Sequence, residues 1–125
     1  MRKLPLLRPW AGALLVGCAV VCFVWGAGVR AGERGAPSLA GTTWSGTDSD
    51  GDHYVFTFEE SGTLAYRSPA GSYRNGKWHQ FEGAVYFEMN DHYSEYLGQM
   101  QGDVLQGRAW NRPQHKWLWK VTRDR

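Results

Sequence analysis

Residues 32–125 contain no cysteine. Both cysteines of the 125-residue chain, Cys18 and Cys22, lie within one apolar run near the N-terminus. The rest of the chain therefore has neither the disulfide framework of small secreted scaffolds nor the cysteine clusters of structural zinc sites. Its stability must come from a packed hydrophobic core.

Residues 32–125 also lack an excess of positive charge. The whole chain has a formal net charge of +2, but Arg2, Lys3, Arg8 and Arg30 belong to the N-terminal segment. The remainder carries 10 Lys and Arg against 12 Asp and Glu, which leaves a net charge of −2. Because the basic residues are spread singly, we predict no binding of nucleic acid.

Recognisable catalytic motifs are missing too. No serine lies in a G-x-S-x-G motif, and no two of the four histidines have the spacing of a zinc site. Glu82, Glu88 and Glu95 are candidates for a carboxylate pair. However, Glu88 shares the predicted outer face of its strand with Tyr86, where glutamates are usually solvated. We therefore predict no enzymatic activity, no cofactor and no metal.

One long hydrophobic run is present. Residues 11–29 carry no charge and approach the length of about 20 residues that an apolar helix needs to cross a bilayer. Residues 29–31 offer small side chains to a signal peptidase. Residues 1–31 are therefore predicted to be a cleaved signal peptide or a retained membrane anchor, and residues 32–38 a linker. The positive charges before the run place residues 39–125 outside the cytoplasm, in the periplasm or secreted.

Cys18 adds a further alternative. Residues 15–18 read Leu-Val-Gly-Cys, which is similar to the lipobox of bacterial lipoproteins, in which the cysteine is acylated. Residues 19–25 stay apolar, whereas such lipoproteins usually turn polar soon after the cysteine. The simpler interpretation is that Cys18 and Cys22 are small apolar residues of a membrane helix.

Residues 42–122 alternate apolar and polar side chains in short runs separated by turns rich in Gly, Asp and Asn. This alternation predicts β-strands at residues 42–46, 54–59, 63–67, 73–81, 84–89, 93–101, 104–110 and 115–122. No helical pattern interrupts them, so we predict an antiparallel up-and-down meander of about eight strands that forms a small barrel. The pair Asn75-Gly76 leaves an alternative open, because Asn-Gly often closes a hairpin.

Aromatic side chains dominate the predicted inner face. They are Trp44, Tyr54, Phe56, Phe58, Tyr66, Trp78, Phe87, Trp117 and Trp119. In one interpretation they only fill the core. In the other, some line a pocket at the mouth of the barrel, where stacked rings suit a sugar or another flat or apolar ligand. The candidate ligand-binding residues are Trp44, Tyr66, Trp78, Trp117 and Trp119.

The opening of the domain resembles the calycin group of barrels, which includes lipocalins, fatty-acid-binding proteins and avidins. The likeness rests on Gly41-Thr42-Thr43-Trp44, on the strand-turn-strand of residues 54–66 and on the uninterrupted meander. It implies a barrel with a ligand site at one end. Gly41 and Trp44 are one residue further apart than in the Gly-x-Trp motif of lipocalins. The short strands favour a shallow cup or a filled core over a deep cavity.

Residues 48–52 contain the sharpest local motif. Asp48, Asp50 and Asp52 alternate as in calcium-binding loops, and Glu59 occupies the twelfth position, which supplies a bidentate carboxylate. His53 stands where such a loop needs glycine, however, and the following residues are predicted to be a strand. The alternative is a solvated hairpin tip, because Asp, Ser and Gly are common turn residues.

Three hypotheses remain after these steps: two non-catalytic functions, and a small hydrolase or lyase that uses carboxylates or histidines on the barrel rim. The enzyme would require at least two titratable side chains that converge in a cleft, and their spacing gives no reason to expect this. The first is a non-catalytic exported binding module, with a small ligand at the barrel mouth or a protein partner on Tyr86, Trp110 and Leu118. It predicts a concave opening lined by aromatic residues. The second is a structural accessory protein of the envelope, tethered to the membrane through residues 11–29. It predicts a filled core without a pocket.

Overall fold

The computed structural model describes residues 35–125. The signal or anchor segment predicted over residues 1–31 lies outside the described residues, as do residues 32–34 of the predicted linker, so these assignments stay predictions. Within residues 35–125, no helix has the length and apolar character needed to cross a membrane.

Eight β-strands form the regular structure of the described part. They are β1 (Thr42–Thr47), β2 (His53–Phe58), β3 (Thr63–Ser68), β4 (Gly71–Phe81), β5 (Ala84–Met89), β6 (Ser94–Gln101), β7 (Val104–Asn111) and β8 (Lys116–Arg123). The prediction of an all-β domain with about eight short strands is confirmed. Each predicted strand end lies within two residues of the observed one.

The strands form a closed antiparallel barrel in sequence order. Each strand pairs with the next, and β8 returns to β1 through the pairs Trp44 with Arg123 and Ser45 with Thr122. The seam brings the two backbones close together, since a Cβ atom on Gly46 would lie 2.1 Å from the carbonyl oxygen of Lys120. Closure pairs both edges of the sheet, which would otherwise be open to other strands.

The two-residue alternation sorts side chains to the inside and outside as predicted. The buried hydrophobic residues are Leu39, Trp44, Phe56, Phe58, Leu64, Val85, Phe87, Met89, Tyr96, Leu105, Ala109, Trp117, Trp119 and Val121. Near the centre, the ring centroid of Phe87 lies 4.9 Å from that of Phe56 and 5.2 Å from that of Trp119. The middle of the barrel is therefore filled by side chains.

Asn75 and Gly76 lie within β4, so the alternative in which they close a hairpin is wrong. The chain reverses at Pro69-Ala70 instead. A Cβ atom on Gly76 would lie 2.5 Å from the carbonyl oxygen of Glu88 on the neighbouring strand. Glycine is therefore required here for the close approach of two backbones, and the Asn-Gly pair forms no turn.

Leu39 closes one end of the barrel. Its side chain is buried, its N–H donates to Gln80 Oε1 at 2.9 Å, and its carbonyl accepts hydrogen bonds from the N–H and the hydroxyl of Thr42. Gln80 Nε2 also donates to the carbonyl of Pro37 at 2.8 Å. The segment before β1 thus covers the end at which the odd-numbered strands begin. Among the described residues, hairpin loops bound the opposite end.

Candidate functional site

Four hairpin loops meet at the end of the barrel opposite Leu39. In an up-and-down meander, the odd strands end and the even strands begin at the same end, so residues 48–52, 69–70, 90–93 and 112–115 are brought together. With the strand ends beneath them, these loops bound a cup of about 430 Å³. Small-molecule sites are typically concavities of about 300 to 1,000 Å³.

Aromatic rings form the walls and floor of this cup. They belong to Tyr54, Tyr66, Tyr73, Tyr93, Tyr96 and Trp117. The ring centroids of Tyr66 and Tyr73 are 5.4 Å apart. The hydroxyl of Tyr66 donates to Asn75 Oδ1 at 2.6 Å, and that of Tyr73 donates to the carbonyl of Ala70 at 3.0 Å. These hydrogen bonds hold the rings in place, which lowers the entropy that a ligand loses on binding.

Trp117 lies in the floor with an unmet hydrogen-bond donor. Its side chain is about nine-tenths buried, at 8 % exposure, and within the described residues its indole N–H has no hydrogen-bond partner. Buried indole N–H groups usually find an acceptor, because leaving one unpaired costs about 1 to 3 kcal/mol. By contrast, the indoles of Trp44, Trp78 and Trp119 donate to Thr42 Oγ1, the Glu59 carbonyl and the Arg108 carbonyl.

The rim of the cup is acidic. Asp48, Asp50 and Asp52 all line it, and none of the described lining residues is Lys or Arg. Asp48 Oδ1 accepts the backbone N–H groups of Asp50 and Asp52, each at 2.9 Å, and so stabilises the turn. The carboxylates do not gather around one point. Within residues 35–125, no group of three or more His, Cys, Asp or Glu side chains is placed to hold a metal ion.

Glu59, the twelfth position of the calcium-loop pattern, lies beyond the far end of β2. Both of its carboxylate oxygens bind the guanidinium of Arg74, at 2.8 and 3.0 Å. The loop at residues 48–52 is therefore a hairpin tip held by Asp48, as the alternative interpretation predicted.

His115 links the acidic rim to the aromatic floor. Its Nε2 lies 2.6 Å from Asp50 Oδ2. Its ring is stacked on Trp117 with a centroid distance of 5.5 Å and an interplanar angle of 20°. The imidazole is thus held between a carboxylate and an indole face.

The carboxylates of the rim affect the pKa of a tyrosine hydroxyl inside the cup. Burial raises the pKa of the Tyr54 hydroxyl, and the nearby carboxylates of Asp48, Asp52 and Asp50 raise this pKa further. Burial also raises the pKa of Tyr96 far above its ordinary value. Both tyrosines are therefore neutral at physiological pH and serve the site as aromatic surfaces and hydrogen-bonding groups.

The β5–β6 loop at the rim has a strained backbone. Asn90, Asp91 and His92 have φ values of 53°, 51° and 59°, in the left-handed region that favours glycine and that, among other residues, Asn, Asp and His adopt most often. The loop is held by Glu88 Oε2, which accepts the His92 N–H at 2.7 Å, and by Arg112, which donates to the Asp91 carbonyl at 2.6 Å. Strain of this kind persists only where the surroundings enforce it, and it is common at ligand sites.

The structure divides the five predicted ligand-binding residues between different places. Tyr66 and Trp117 line the cup. Trp119 is buried in the middle of the barrel at 3 % exposure, and Trp44 is buried on β1 at 1 %. Trp78 is half-buried towards the closed end, where its indole N–H binds the Glu59 carbonyl. The predicted set is therefore not one site.

The outer wall holds the carboxylates considered for acid-base chemistry. Glu88 is only 3 % exposed, so the expectation of a solvated side chain there is wrong; the β5–β6 loop folds over it and supplies the His92 N–H. Glu95 accepts hydrogen bonds from the hydroxyl of Tyr86 at 2.7 Å and from the indole of Trp110 at 2.8 Å. The Tyr86 hydroxyl is the main cause of a lowered pKa at Glu95, which is the opposite of what a general acid needs.

A second concavity lies on the outer wall across β6, β7 and β8. It encloses about 730 Å³ and includes Leu97, Leu118 and the facing glycines Gly98 and Gly107. The two glycines make the wall thin here. Leu118, which was considered as part of a protein-binding edge, is 66 % exposed in this groove, whereas Tyr86 and Trp110 are turned towards Glu95.

Sequence reasoning did not assign several residues of the cup. The sequence pattern places Tyr54 on the inner face but not in the ligand site, and Tyr73 and Tyr93 in neither set, yet all three line the cup. The position of each residue along its strand indicates which end of the barrel it lies near, once the strand order is known. An aromatic residue of the inner face that lies near the end of an odd strand or the start of an even strand borders the same mouth.

Comparison of the chain with family models, with curated proteins and with solved structures finds no match in any of the three. The resemblance to calycins stays a prediction, since a barrel shape alone does not identify a family or a function.

Proposed function

We propose that the barrel is a non-catalytic binding module that acts outside the cytoplasm and takes a small ligand into the cup at the end opposite Leu39. The observation that carries the proposal is the combination of a concave aromatic surface with an unpaired indole N–H in its floor. A fully structural role predicts a mouth without such an opening.

The filled core limits where a ligand can bind. Phe56 and Phe87 are fully buried beneath the cup, and Tyr96 and Trp117 separate them from its opening. A ligand in this cup would contact the ends of the strands and the four loops. The cup suits a small polar molecule with an apolar or cationic face better than a long acyl chain.

The titratable groups of the cup support binding over catalysis. Asp48 is engaged by its own turn, and Asp50 is engaged by His115. A His-Asp pair needs a nucleophile on the second imidazole nitrogen to form a catalytic set. Among the described residues, no hydroxyl or thiol makes that hydrogen bond to His115. The His115–Asp50 pair therefore fixes the position of side chains in the cup, and it has no nucleophile to activate among the described residues.

The indole N–H resonances of the full chain provide the test. A panel of neutral sugars, small amines and short fatty acids is added while two-dimensional NMR spectra are recorded. A ligand of the cup is expected to shift the Trp117 indole resonance, and the Trp78 indole at the other end serves as the internal control. Substitution of Tyr73, which is 41 % exposed on the cup wall, by alanine is expected to weaken binding.

The matched control is Leu118→Ala, which removes an exposed apolar side chain from the outer groove. If the panel leaves Trp117 unmoved, or if Leu118→Ala weakens binding and Tyr73→Ala does not, the cup is not the ligand site. The structural role, or a partner on the outer groove, then becomes the better explanation.

A further inference from the structure

The residues of the cup combine features that together select one class of ligand. Three carboxylates of the β1–β2 loop line one side of the opening, and the described residues that line it include no Lys or Arg. An uncharged ligand would gain no attraction from this negative charge. An anion would be repelled by it.

The aromatic walls of the cup are a second feature that favours a cationic ligand. The faces of tyrosine and tryptophan rings carry negative partial charge, and they attract ammonium groups within about 6 Å of the ring centre. Tyr54, Tyr66, Tyr73 and Trp117 present such rings below the carboxylates. Because the rings lie in a concavity, a bound cation loses part of its contact with water there, and this attraction is then stronger than on an open surface.

His115 shows how a cationic group fits the cup. This side chain of the protein lies on the Trp117 ring and against Asp50 Oδ2, at 5.5 Å between centroids and 2.6 Å between heteroatoms. When protonated, it has both of the partners that an organic cation would seek there. Asp52 is different, because its carboxylate makes no hydrogen bond within the described residues. It remains available to a ligand.

The Trp117 indole N–H adds a requirement that is independent of charge. It is a buried donor in the floor of the same cup, and among residues 35–125 it has no acceptor. Because the nitrogen atom is itself closed to solvent, a ligand that also carries an oxygen acceptor can satisfy it only when the side chains that cover it move aside. Hydroxyl and carbonyl oxygens both have this capacity.

We propose that the cup binds a small organic cation of the ammonium class that also carries an oxygen acceptor, such as an amino alcohol. The ammonium group lies between the aromatic rings and the carboxylates, and the oxygen faces Trp117. This inference rests on the proposed binding function and names the ligand class for the same site.

Choline and its neutral isostere 3,3-dimethylbutan-1-ol provide a matched pair of probes, because they share shape and hydroxyl group and differ in charge. Each is titrated into the full chain, and the Trp117 indole N–H resonance is followed. Choline is expected to bind about tenfold or more tightly than the isostere, with its advantage shrinking as salt is added.

The variant Asp52→Asn removes one charge from the rim and keeps the size of the side chain. It is expected to reduce the advantage of choline over the isostere by several-fold. Asp103→Asn is the control, since Asp103 lies in the β6–β7 turn at the opposite end of the barrel, where Arg125 is its partner at 3.6 Å. It is expected to leave both affinities unchanged, and unchanged amide spectra confirm that each variant is folded.

The outcomes separate the two proposals. If both probes bind equally and Asp52→Asn has no effect, or if a neutral sugar shifts Trp117 while choline does not, the cation inference is wrong and the binding function stands. If neither probe nor any member of the wider panel shifts Trp117, both proposals fail.

Discussion

Replacing Trp119 with alanine is expected to destabilise the barrel by about 3 to 5 kcal/mol, the usual cost for a buried aromatic side chain. Trp119 is 3 % exposed and packs against Phe87, with 5.2 Å between ring centroids. Its indole N–H also donates to the Arg108 carbonyl at 3.0 Å. A domain of this size is stable by roughly 5 to 15 kcal/mol, so the loss is a large part of the total.

Gly98 allows a sharper test of the same packing. A Cβ atom there would lie 2.5 Å from Trp119 Cζ2 and 2.5 Å from the Gln106 carbonyl oxygen. Gly98→Ala alone is expected to cost about 1 to 3 kcal/mol by overpacking. In the Trp119→Ala background, only the contact with the backbone remains, and the methyl group fills part of the cavity. The double variant should therefore be more stable, by about 1 kcal/mol or more, than the sum of the two single-variant costs predicts.

Urea unfolding of the full chain, followed by far-ultraviolet circular dichroism, measures these free energies. Lys120→Ala is the matched control, because Lys120 is exposed on the opposite face of β8 and its loss should change stability by less than about 0.5 kcal/mol. Equal costs at Trp119 and Lys120 would refute the assignment of faces. Additive costs for Gly98 and Trp119 would refute the contact between them.

Three further predictions concern hydrogen bonds, close backbone contacts and pH. Trp78→Phe should destabilise the barrel by about 1 kcal/mol more than Trp117→Phe in urea unfolding, because only the Trp78 indole N–H has an acceptor to lose; equal costs would contradict this. Gly107→Ala should cost about 1 to 3 kcal/mol or more, since a Cβ atom would lie 2.0 Å from a backbone oxygen, whereas Gly83→Ala, with no atom closer than 3.7 Å, should be nearly neutral. The pKa of Glu95 is lowered by its hydrogen bond from a tyrosine hydroxyl, so its contribution to stability is present above the unfolded-state pKa of about 4.5 and is lost as the pH falls through the lower folded-state value. Between pH 7 and pH 3, the free energy of unfolding of the Glu95→Gln variant should therefore fall by less than that of the wild-type chain.

The strands were predictable because the inner and outer faces of a half-buried sheet differ in the solvent they contact. Val85, Phe87 and Met89 alternate with polar neighbours, and β5 is found at the predicted residues. The same rule failed at Glu88, which has the outward position but is buried by a loop. Periodicity assigns a side chain to a face of the sheet. It contains no information about which loops cover that face.

The candidate site was less predictable than the fold. Size and aromatic character selected Trp44, Trp78 and Trp119 as ligand-binding residues, and all three make structural contacts away from the cup. Tyr66 and Trp117 line the cup because they combine the inner face with a position near the end of the barrel where the odd strands end. Inner-face periodicity alone does not distinguish the two ends of a barrel.

The amino-acid sequence by itself determined the strand positions, the inner and outer faces and the absence of disulfides in the domain, because these depend on side-chain polarity at fixed local spacing. Only the tertiary structure decided that β1 meets β8, that Leu39 covers one end and that residues far apart in the chain form an acidic, aromatic cup at the other. Such contacts depend on how the sheet curves and where its strands close, and the backbone approaches at Gly46, Gly76 and Gly98 that permit this curvature involve partners that local patterns do not identify.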